Sequence, residues 1–277
     1  MEAQEVELLQ KITARPLSFD EVTPDVFVVE LPLVNVCMVG NPNSVTRDWV
    51  LIDAGTAHMG RDITRAAEAR FGLGTVPRAI VLTHGHFDHV GAILELLDKW
   101  NTEVYVHELE LPYLTGQMDY PPPNPFAGEG LIAQVSPLFS NRGIDLGARV
   151  HALPSDGSVP WMPGWRWIHT PGHSPGHVSL FRESDGLLIA GDVLSTLDQD
   201  SAESILSRER VLSGPPAYFT TDWDLAKRSL EILRDLRPQM IISSHGLPMG
   251  GDKLAEQLAS LVDEFQSQAS KRRRLVH

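Results

Sequence analysis

Four side chains that can bind a metal ion occur within six positions of the stretch "THGHFDHVGA", residues 83–92. They are His84, His86, Asp88 and His89, and they follow the apolar run "AIVL". In an extended turn the two leading imidazoles point the same way, whereas Asp88 and His89 come from the start of the following helix and face a second point nearby. Because imidazole nitrogens and carboxylate oxygens are ligands of divalent metals, this spacing predicts two metal ions.

Three further residues of this kind appear where an apolar strand ends: His173 after "WRWIHTPG", Asp192 after "LLIAG" and His245 after "MIISS". Strand ends gather at one edge of a sheet, so we expect these side chains to meet the other four. The predicted partition is His84, His86 and His173 for one ion, Asp88, His89 and His245 for the other, and Asp192 as a bridge. Imidazole and carboxylate donors without thiolate favour Zn, Fe, Mn or Co.

Two other side chains that can do chemistry are interpreted as structural. His177, in "PGHSPGHV", is expected to pack or hydrogen-bond near the ions, because sites with three histidines fill without it. Cys37 is the chain's one cysteine and lies in the apolar run "LVNVCMVG". We expect a buried, unreactive thiol there.

The elements that must position the ligands alternate between strands and helices. Short runs rich in apolar and β-branched residues predict strands in "VFVVEL", "VNVCMV", "WVLIDAG", "RAIVLTH" and "EVYVHE", and later in "WRWIHT", "HVSLF", "LLIAGD" and "QMIISSH". Apolar positions at helical spacing predict helices over residues 59–71, 88–100, 222–236 and 252–270. The alternation predicts an α/β sandwich with helices outside the sheets.

We expect a single domain over residues 1–277, made of two αβ halves at about 16–115 and 146–277. Between them, from about residue 111 to residue 166, "YPPPNPFAGEG" and "GSVPWMPGW" are too rich in proline and glycine for regular elements. This segment is predicted to be a long loop or lid over one sheet edge.

The composition excludes several classes of partner. The 277 residues are 42% hydrophobic and carry a formal net charge of −13, which repels nucleic-acid phosphates and anionic membranes. Residues 1–15 are acidic and amphipathic without a continuous apolar core, and no apolar run approaches the length needed to span a membrane. We therefore expect a cytoplasmic protein that binds a small molecule, and a homodimer stays open.

The motifs together resemble those of the metallo-β-lactamase fold superfamily. "THGHFDHVG" is similar to its HxHxDH motif, and "TPGHSPGHVSL", "LLIAGDV" and "IISSHGLPM" are similar to its other metal motifs, in the same order. The resemblance covers about residues 25–262 and implies a four-layer αββα sandwich with a dinuclear metal site at one edge of the two sheets. It places the family's ligands on the seven positions given above. In "LIDAG", Asp53 resembles the family's carboxylate that orients a ligand imidazole without binding metal.

The resemblance also implies a hydrolase. Two cations that share a water lower its pKa towards about 7, so hydroxide exists at neutral pH. One cation polarises the substrate carbonyl and stabilises the oxyanion that forms. Asp88, bound through one carboxylate oxygen, holds the hydroxide with the other and later passes its proton to the leaving group. A protein nucleophile is not required.

Differences between this sequence and known branches of the superfamily reduce the range of candidate substrates. β-Lactamases generally replace the bridging aspartate by Cys or Ser and are exported, whereas this chain keeps Asp192. Glyoxalase II enzymes have a longer C-terminal helical region and basic residues for glutathione, whereas 32 residues follow His245 and "VLSTLDQDSAES" is acidic. Quorum-signal lactonases place a tyrosine just beyond the bridge, where this chain has Ser195 and Thr196. Persulfide dioxygenases lose the second metal site, whereas His89 and His245 are present.

The sequence thus predicts a dinuclear metal-dependent hydrolase that cleaves a small ester, lactone or thioester. Zinc is the expected metal, with iron and manganese as alternatives. Three other functions stay open: a glutathione-thioester hydrolase, an iron-dependent redox enzyme resembling persulfide dioxygenases, and a binding protein that retains metal without catalysis. Aromatic side chains predict a pocket for a neutral or apolar acyl compound, and its candidates are Tyr218, Trp161, Tyr120 and Phe126.

Overall fold

A computed structural model of the chain describes residues 17–128, 130–199 and 201–275. The chain divides into two compact units, Met1–Tyr120 with Phe139–Pro163, and Pro121–Leu138 with Gly164–His277. Each unit carries one β-sheet with helices. Residues 1–15, interpreted above as amphipathic, lie outside the described part of the chain.

The first unit is built on a seven-stranded mixed sheet in the order β1 to β7. Its strands are β1 (Ser18–Thr23), β2 (Val26–Glu30), β3 (Asn35–Val39), β4 (Val50–Ile52), β5 (Ala79–Val81), β6 (Glu103–Val106) and β7 (Val150–Ala152). Strands β1 to β4 pair antiparallel, and β4 to β7 pair parallel. Strands β3, β4 and β5 are buried throughout, which fits continuous apolar runs covered on both faces.

The helices of the first unit pack their apolar stripes on this sheet. They are α1 (Gly60–Phe71), α2 (Phe87–Val90), α3 (Ile93–Lys99) and α4 (Leu111–Leu114). In α1 the stripe ends at Phe71, whose ring stacks on Trp49 with 4.9 Å between centroids. The predicted helix over residues 88–100 is divided into α2 and α3, because the N–H of Gly91 donates to the carbonyl of Gly55 (2.8 Å).

The second unit carries a five-stranded sheet in the order β12-β11-β10-β9-β8. Its strands are β8 (Trp165–His169), β9 (Val178–Arg182), β10 (Leu187–Gly191), β11 (Met240–Ser243) and β12 (Met249–Gly250), and its helices are α5 (Leu131–Val135), α6 (Ala202–Ser207), α7 (Trp223–Asp235) and α8 (Leu254–Leu275). Strands β10 and β11 are parallel, and the other neighbours are antiparallel. The carboxylate of Asp222 caps α7 by accepting the N–H of Leu225 (2.9 Å).

All nine strands and the helices predicted from the sequence are present, so the α/β class is confirmed. The segment of about residues 111–166, predicted to be a long loop, contains α4, α5 and β7, so that prediction was wrong in part. Its two Pro- and Gly-rich stretches contain no helix or strand in their described residues apart from Trp165 at the start of β8. However, residues 150–152 form β7 and pair with β6, so they belong to the first unit and not to the second half that was predicted to begin near residue 146. The prediction of a single domain stays a prediction. Within the described residues, no helix is both long and apolar enough to cross a membrane.

Candidate metal-binding clusters

The first ligand cluster comprises His84, His86, Asp88 and His89, at the end of β5 and in the first turn of α2. The two leading histidines lie in the turn after β5, whereas Asp88 and His89 lie on α2. All four side chains are buried, with at most 7% of any residue exposed. The strand end and the helix start therefore deliver these polar groups to one place, as the spacing predicted.

The donor atoms of the first ligand cluster lie close together. Nε2 of His84 is 3.0 Å from Nδ1 of His86, and the ring centroids of His84 and His89 are 4.0 Å apart. Nε2 of His89 lies 3.8 Å from Oδ1 of Asp88. Buried groups of this kind are costly to place together unless a proton or a cation lies between them. This donor set fits a divalent metal ion.

Asp53 lies against the first ligand cluster. Its Oδ2 is 2.9 Å from Nδ1 of His89, and its Oδ1 accepts the backbone N–H of Thr83 (2.8 Å). Because Nδ1 of His89 donates to this carboxylate, Nε2 carries the lone pair that a metal would take. Asp53 adopts a left-handed backbone conformation with φ of 61°, which is unfavourable for a residue other than glycine. The N–H of Ala54, bonded to the carbonyl of His89 (2.7 Å), helps to hold that turn.

Sequence reasoning missed Glu110, which supports the same turn from the other side. Its fully buried carboxylate accepts the N–H of Gly85 (3.1 Å) and the hydroxyl of Tyr120. The Tyr120 ring lies edge-on against His86, with 4.5 Å between centroids. Burial raises the pKa of Tyr120 well above its usual range, and the charge of Glu110 raises it further. Gly85 is needed there, because a Cβ would collide with the Tyr120 hydroxyl oxygen.

The second ligand cluster comprises His173, Asp192 and His245, which follow β8, β10 and β11. All three side chains are buried. A single oxygen, Oδ2 of Asp192, lies 3.4 Å from Nε2 of His173 and 3.4 Å from Nε2 of His245. One carboxylate therefore stands between two imidazoles, which is the placement required of a bridging ligand.

His177 supports the second ligand cluster through the backbone of Asp192. Its Nε2 accepts the N–H of Asp192 (2.9 Å), and its Nδ1 lies 2.9 Å from the hydroxyl of Thr170. That hydroxyl is 3.1 Å from the hydroxyl of Ser179, which donates to the carbonyl of Ala190 (2.8 Å). The sequence interpretation of His177 as a hydrogen-bonding neighbour agrees with this contact.

The carbonyl of His245 is held by three buried hydroxyl groups. Ser243, Ser195 and Thr196 donate to it at 2.6, 3.0 and 3.2 Å. Two of these residues occupy the interval in which lactonases place a tyrosine. Both hydroxyls therefore face backbone carbonyls, that of the candidate ligand His245 and, for Ser195, also that of Leu197 (2.7 Å). This role could not be inferred from the sequence alone.

The four aromatic residues predicted to line a substrate pocket lie in different surroundings. Tyr120 is buried beside His86, whereas Phe126 is 93% exposed. Trp161 is 58% exposed and lies over the guanidinium of Arg78, which precedes β5, so it is at the opposite end of that strand from His84. We therefore leave Trp161 out of the proposed site.

Tyr218 belongs to the second unit and is 9% exposed. Its hydroxyl donates to Oε1 of Gln199 (3.2 Å), and its carbonyl accepts the N–H of Asn124 (2.7 Å). The second contact ties the proline-rich stretch that carries Phe126 to the loop before α7. A role of either residue in substrate binding stays a prediction.

Comparison with known proteins gives one family model, two relatives and one solved structure that are similar to this chain. A family model described as the metallo-beta-lactamase superfamily matches residues 29–245. The probable metallo-hydrolase YflN of Bacillus subtilis (strain 168) is 44% identical over 247 residues, which are 89% of this chain and 93% of the relative. The hydroxyacylglutathione hydrolase GloC of Haemophilus influenzae is 27% identical over 119 residues, which are 42% of this chain and 50% of the relative. The solved structure of TTHA1623 in a di-iron-bound form is 26% identical in sequence and superimposes with a TM-score of 0.54. The superposition covers 83% of this chain and 94% of the chain in that structure.

Proposed function

Because the chain belongs to the metallo-β-lactamase superfamily, we propose that its two ligand clusters form one dinuclear metal centre that hydrolyses a small ester, lactone or thioester. The predicted fold type is confirmed by the same matches and by the solved structure. That the protein is a metallohydrolase in a broad sense follows from its relatives, whereas the reaction and the substrate are our proposal.

The observation that supports this proposal is the residue composition of the two ligand clusters. Each of the seven side chains offers a ligand atom of the kind that holds a metal ion, and all are buried. In the proposed centre His84, His86 and His173 would hold one ion, Asp88, His89 and His245 would hold the other, and Asp192 would be shared by both. The contacts of Asp192 Oδ2 with His173 and His245 inside the second unit support its bridging role.

Zinc is the metal that we propose. The donors are imidazole and carboxylate, which suit zinc, iron and manganese alike. The di-iron form of TTHA1623 supports iron as the leading alternative. An iron-dependent redox enzyme on the same ligands therefore stays the second candidate function.

When bound, a pair of divalent ions makes hydroxide available at neutral pH and stabilises developing negative charge on the substrate. Asp88 lies on α2 with 7% of its surface exposed, beside Nε2 of His89. In our proposal its carboxylate holds a proton at the reaction centre and passes it to the leaving group. Asp53 fixes the tautomer of His89, and Glu110 with Tyr120 fixes the turn that carries His86. No serine takes part as a nucleophile.

The proposed substrate is a small molecule with a neutral or apolar acyl group. A glutathione thioester is the alternative, and the partial similarity to GloC supports it. We further propose a cytoplasmic location without nucleic-acid or membrane partners, on the ground of the net charge of −13. A homodimer stays open.

Metal analysis and a substrate panel test the proposal. The protein is reconstituted with zinc, iron or manganese and assayed with lactones of graded chain length, thioesters and β-lactams. We expect about two ions per chain and turnover of lactones or thioesters, and Asp88→Asn should lower kcat/KM by roughly a hundredfold to ten-thousandfold. The exposed His58, paired with Glu95, provides the control variant His58→Ala. Bound metal without turnover on the whole panel would contradict the hydrolase, and oxygen uptake by the iron form would favour the redox enzyme.

A further inference from the structure

A pocket of about 330 Å³ lies in the second unit, between the loop after Asp192, the loop before α7, and α8. We propose that this pocket binds the part of the substrate remote from the scissile bond and selects a positively charged group there over a neutral one, and a neutral group over an anionic one. The proposal rests on the proposed function and names the substrate class for it.

The walls of the pocket are tied to the second ligand cluster. Ser213, in one wall, forms a two-way backbone hydrogen bond with Ser195, and Ser195 is three residues beyond Asp192. Tyr218, in the same wall, is two residues before Thr220, whose hydroxyl lies 3.4 Å from Nδ1 of His173. Two residues of chain span at most about 7 Å. The pocket is therefore lined by loops that lie next to the second ligand cluster.

The charged side chains that line the pocket are acidic. Asp198 and Glu264 line it, and no lining side chain in the described part of the chain is basic. The rings of Trp223 and Phe265 also line it, with 5.4 Å between their centroids. Carboxylates and aromatic faces together attract cations, because the face of an aromatic ring carries negative charge. An anionic group in this pocket would lie beside two carboxylates.

Gln199 adds a directional polar group to the pocket. Its Oε1 accepts the hydroxyl of Tyr218, while its buried Nε2 has no hydrogen-bond partner among the described residues. A buried donor is stabilised when a ligand oxygen accepts its hydrogen. If the amide is turned over, Oε1 takes that position and accepts from a ligand N–H instead. Either orientation offers a hydrogen bond to a polar atom of the ligand next to the aromatic pair.

This pocket argues against a glutathione thioester as the substrate. Glutathione carries two carboxylates and one ammonium group, so its net charge is negative, and binding either carboxylate beside Asp198 and Glu264 would bring like charges together. A neutral acyl tail, or an amine or trimethylammonium group, meets no such repulsion. The charge of the distal group therefore separates our main proposal from the GloC-like alternative.

Three matched acyl esters test the inference, with an identical scissile bond and a distal tert-butyl, trimethylammonium or carboxylate group. The first two are isosteric, so they differ in charge alone. With metal-loaded protein we expect kcat/KM to rank trimethylammonium above tert-butyl by about tenfold, and carboxylate lowest. Asp198→Asn combined with Glu264→Gln should bring the ratio of the isosteric pair towards one. Asp263→Asn removes the neighbouring acidic side chain of α8, which does not line the pocket, and should leave the ratio unchanged.

Calorimetric titration with choline gives a readout that does not depend on turnover. Choline should bind the wild-type protein and the Asp263→Asn variant but not the double variant. If no ester is cleaved while choline still binds in this pattern, the proposed function fails and the assignment of the pocket stands. If esters are cleaved with equal preference in the wild type and the double variant, or the carboxylate ester is preferred, the inference is overturned. Absence of choline binding to the wild type would overturn it as well.

Discussion

The backbone N–H of Asp192 donates a 2.9 Å hydrogen bond to Nε2 of His177. Because a backbone N–H can only donate, Nε2 must be the acceptor, and the ring proton of the neutral imidazole lies on Nδ1, facing the hydroxyl of Thr170. The hydroxyls of Thr170 and Ser179 continue this order to the carbonyl of Ala190. A fully buried histidine thus sets the position of Asp192, the candidate ligand that follows β10.

Replacing His177 should therefore weaken metal binding without removing a ligand. His177→Ala leaves the buried N–H of Asp192 without its acceptor, which should cost about 1–3 kcal/mol of unfolding free energy. Metal affinity should fall by roughly 10–100-fold, the usual effect of losing a group that orients a ligand. Competition with a chelator measures the affinity, and urea unfolding of the metal-free protein measures the stability. His177→Gln keeps an acceptor and should recover part of both, and wild-type affinity in His177→Ala would contradict the role.

Tyr120 should make the stability of the protein depend on pH in the alkaline range. Burial, and then the charge of Glu110, raise the pKa of Tyr120 well above the unfolded value near 10. The folded state therefore favours the protonated phenol, so this stabilisation is present below pH 10 and is lost as the pH rises through the folded pKa. The measurement is urea unfolding of the metal-free wild type and Tyr120→Phe between pH 8 and pH 11. The wild type should be more stable by about 1–3 kcal/mol at pH 8, and the difference should shrink above pH 10.

Tyr105→Phe is the matched control for this experiment. Tyr105 lies in β6 and is half-buried, so loss of its hydroxyl should change stability by less than about 0.5 kcal/mol. A difference between the wild type and Tyr120→Phe that stays constant up to pH 11 would show that the phenol does not titrate with the expected sign.

The strands that carry the candidate ligands were predictable because each is a short apolar run followed by a polar residue. Strands β1, β7 and β12 were missed for different physical reasons. β1 alternates half-buried and exposed positions and contains acidic residues, so it lacks the apolar signal of a central strand. β7 is three residues long and exists because β6 offers a parallel partner. Strand β12 has two residues, which is too short for any periodicity.

The seven candidate ligands could be found from the sequence, but the groups that orient them could be found only in part. The orienting role of Asp53 was predicted from the family resemblance, and the hydrogen-bonding role of His177 was predicted from its place in "PGHSPGHV". Glu110 acts on Gly85 across 25 residues and on Tyr120 across 10, and neither separation repeats a helical or strand period. Long-range contacts of this kind depend on how the elements pack, which a single sequence does not state.

Cys37 should be unreactive in the native protein. It lies in the middle of β3 with 4% of its surface exposed, and burial, followed by the charge of Asp53, raises the pKa of its thiol. The nucleophilic thiolate is therefore suppressed at neutral pH. Ellman's reagent at pH 8 should detect no thiol in the native protein and one per chain after unfolding in urea, since the chain has one cysteine. Rapid reaction of the native protein would mean that β3 opens to solvent.

Substitution of the bridging residue should affect both proposed metal positions together. Oδ2 of Asp192 is equally distant, at 3.4 Å, from the Nε2 atoms of His173 and His245, so Asp192→Ala should reduce the occupancy of both ions. His245→Ala removes a ligand of one ion and should empty mainly that position. Loss of activity should reach about a thousandfold or more in either variant, because both the nucleophile and the stabilisation of the oxyanion depend on the ions. Metal content per chain after dialysis, measured by mass spectrometry with His58→Ala as the control, separates the two patterns. Two ions retained by Asp192→Ala would rule out the bridge, even if activity were lost.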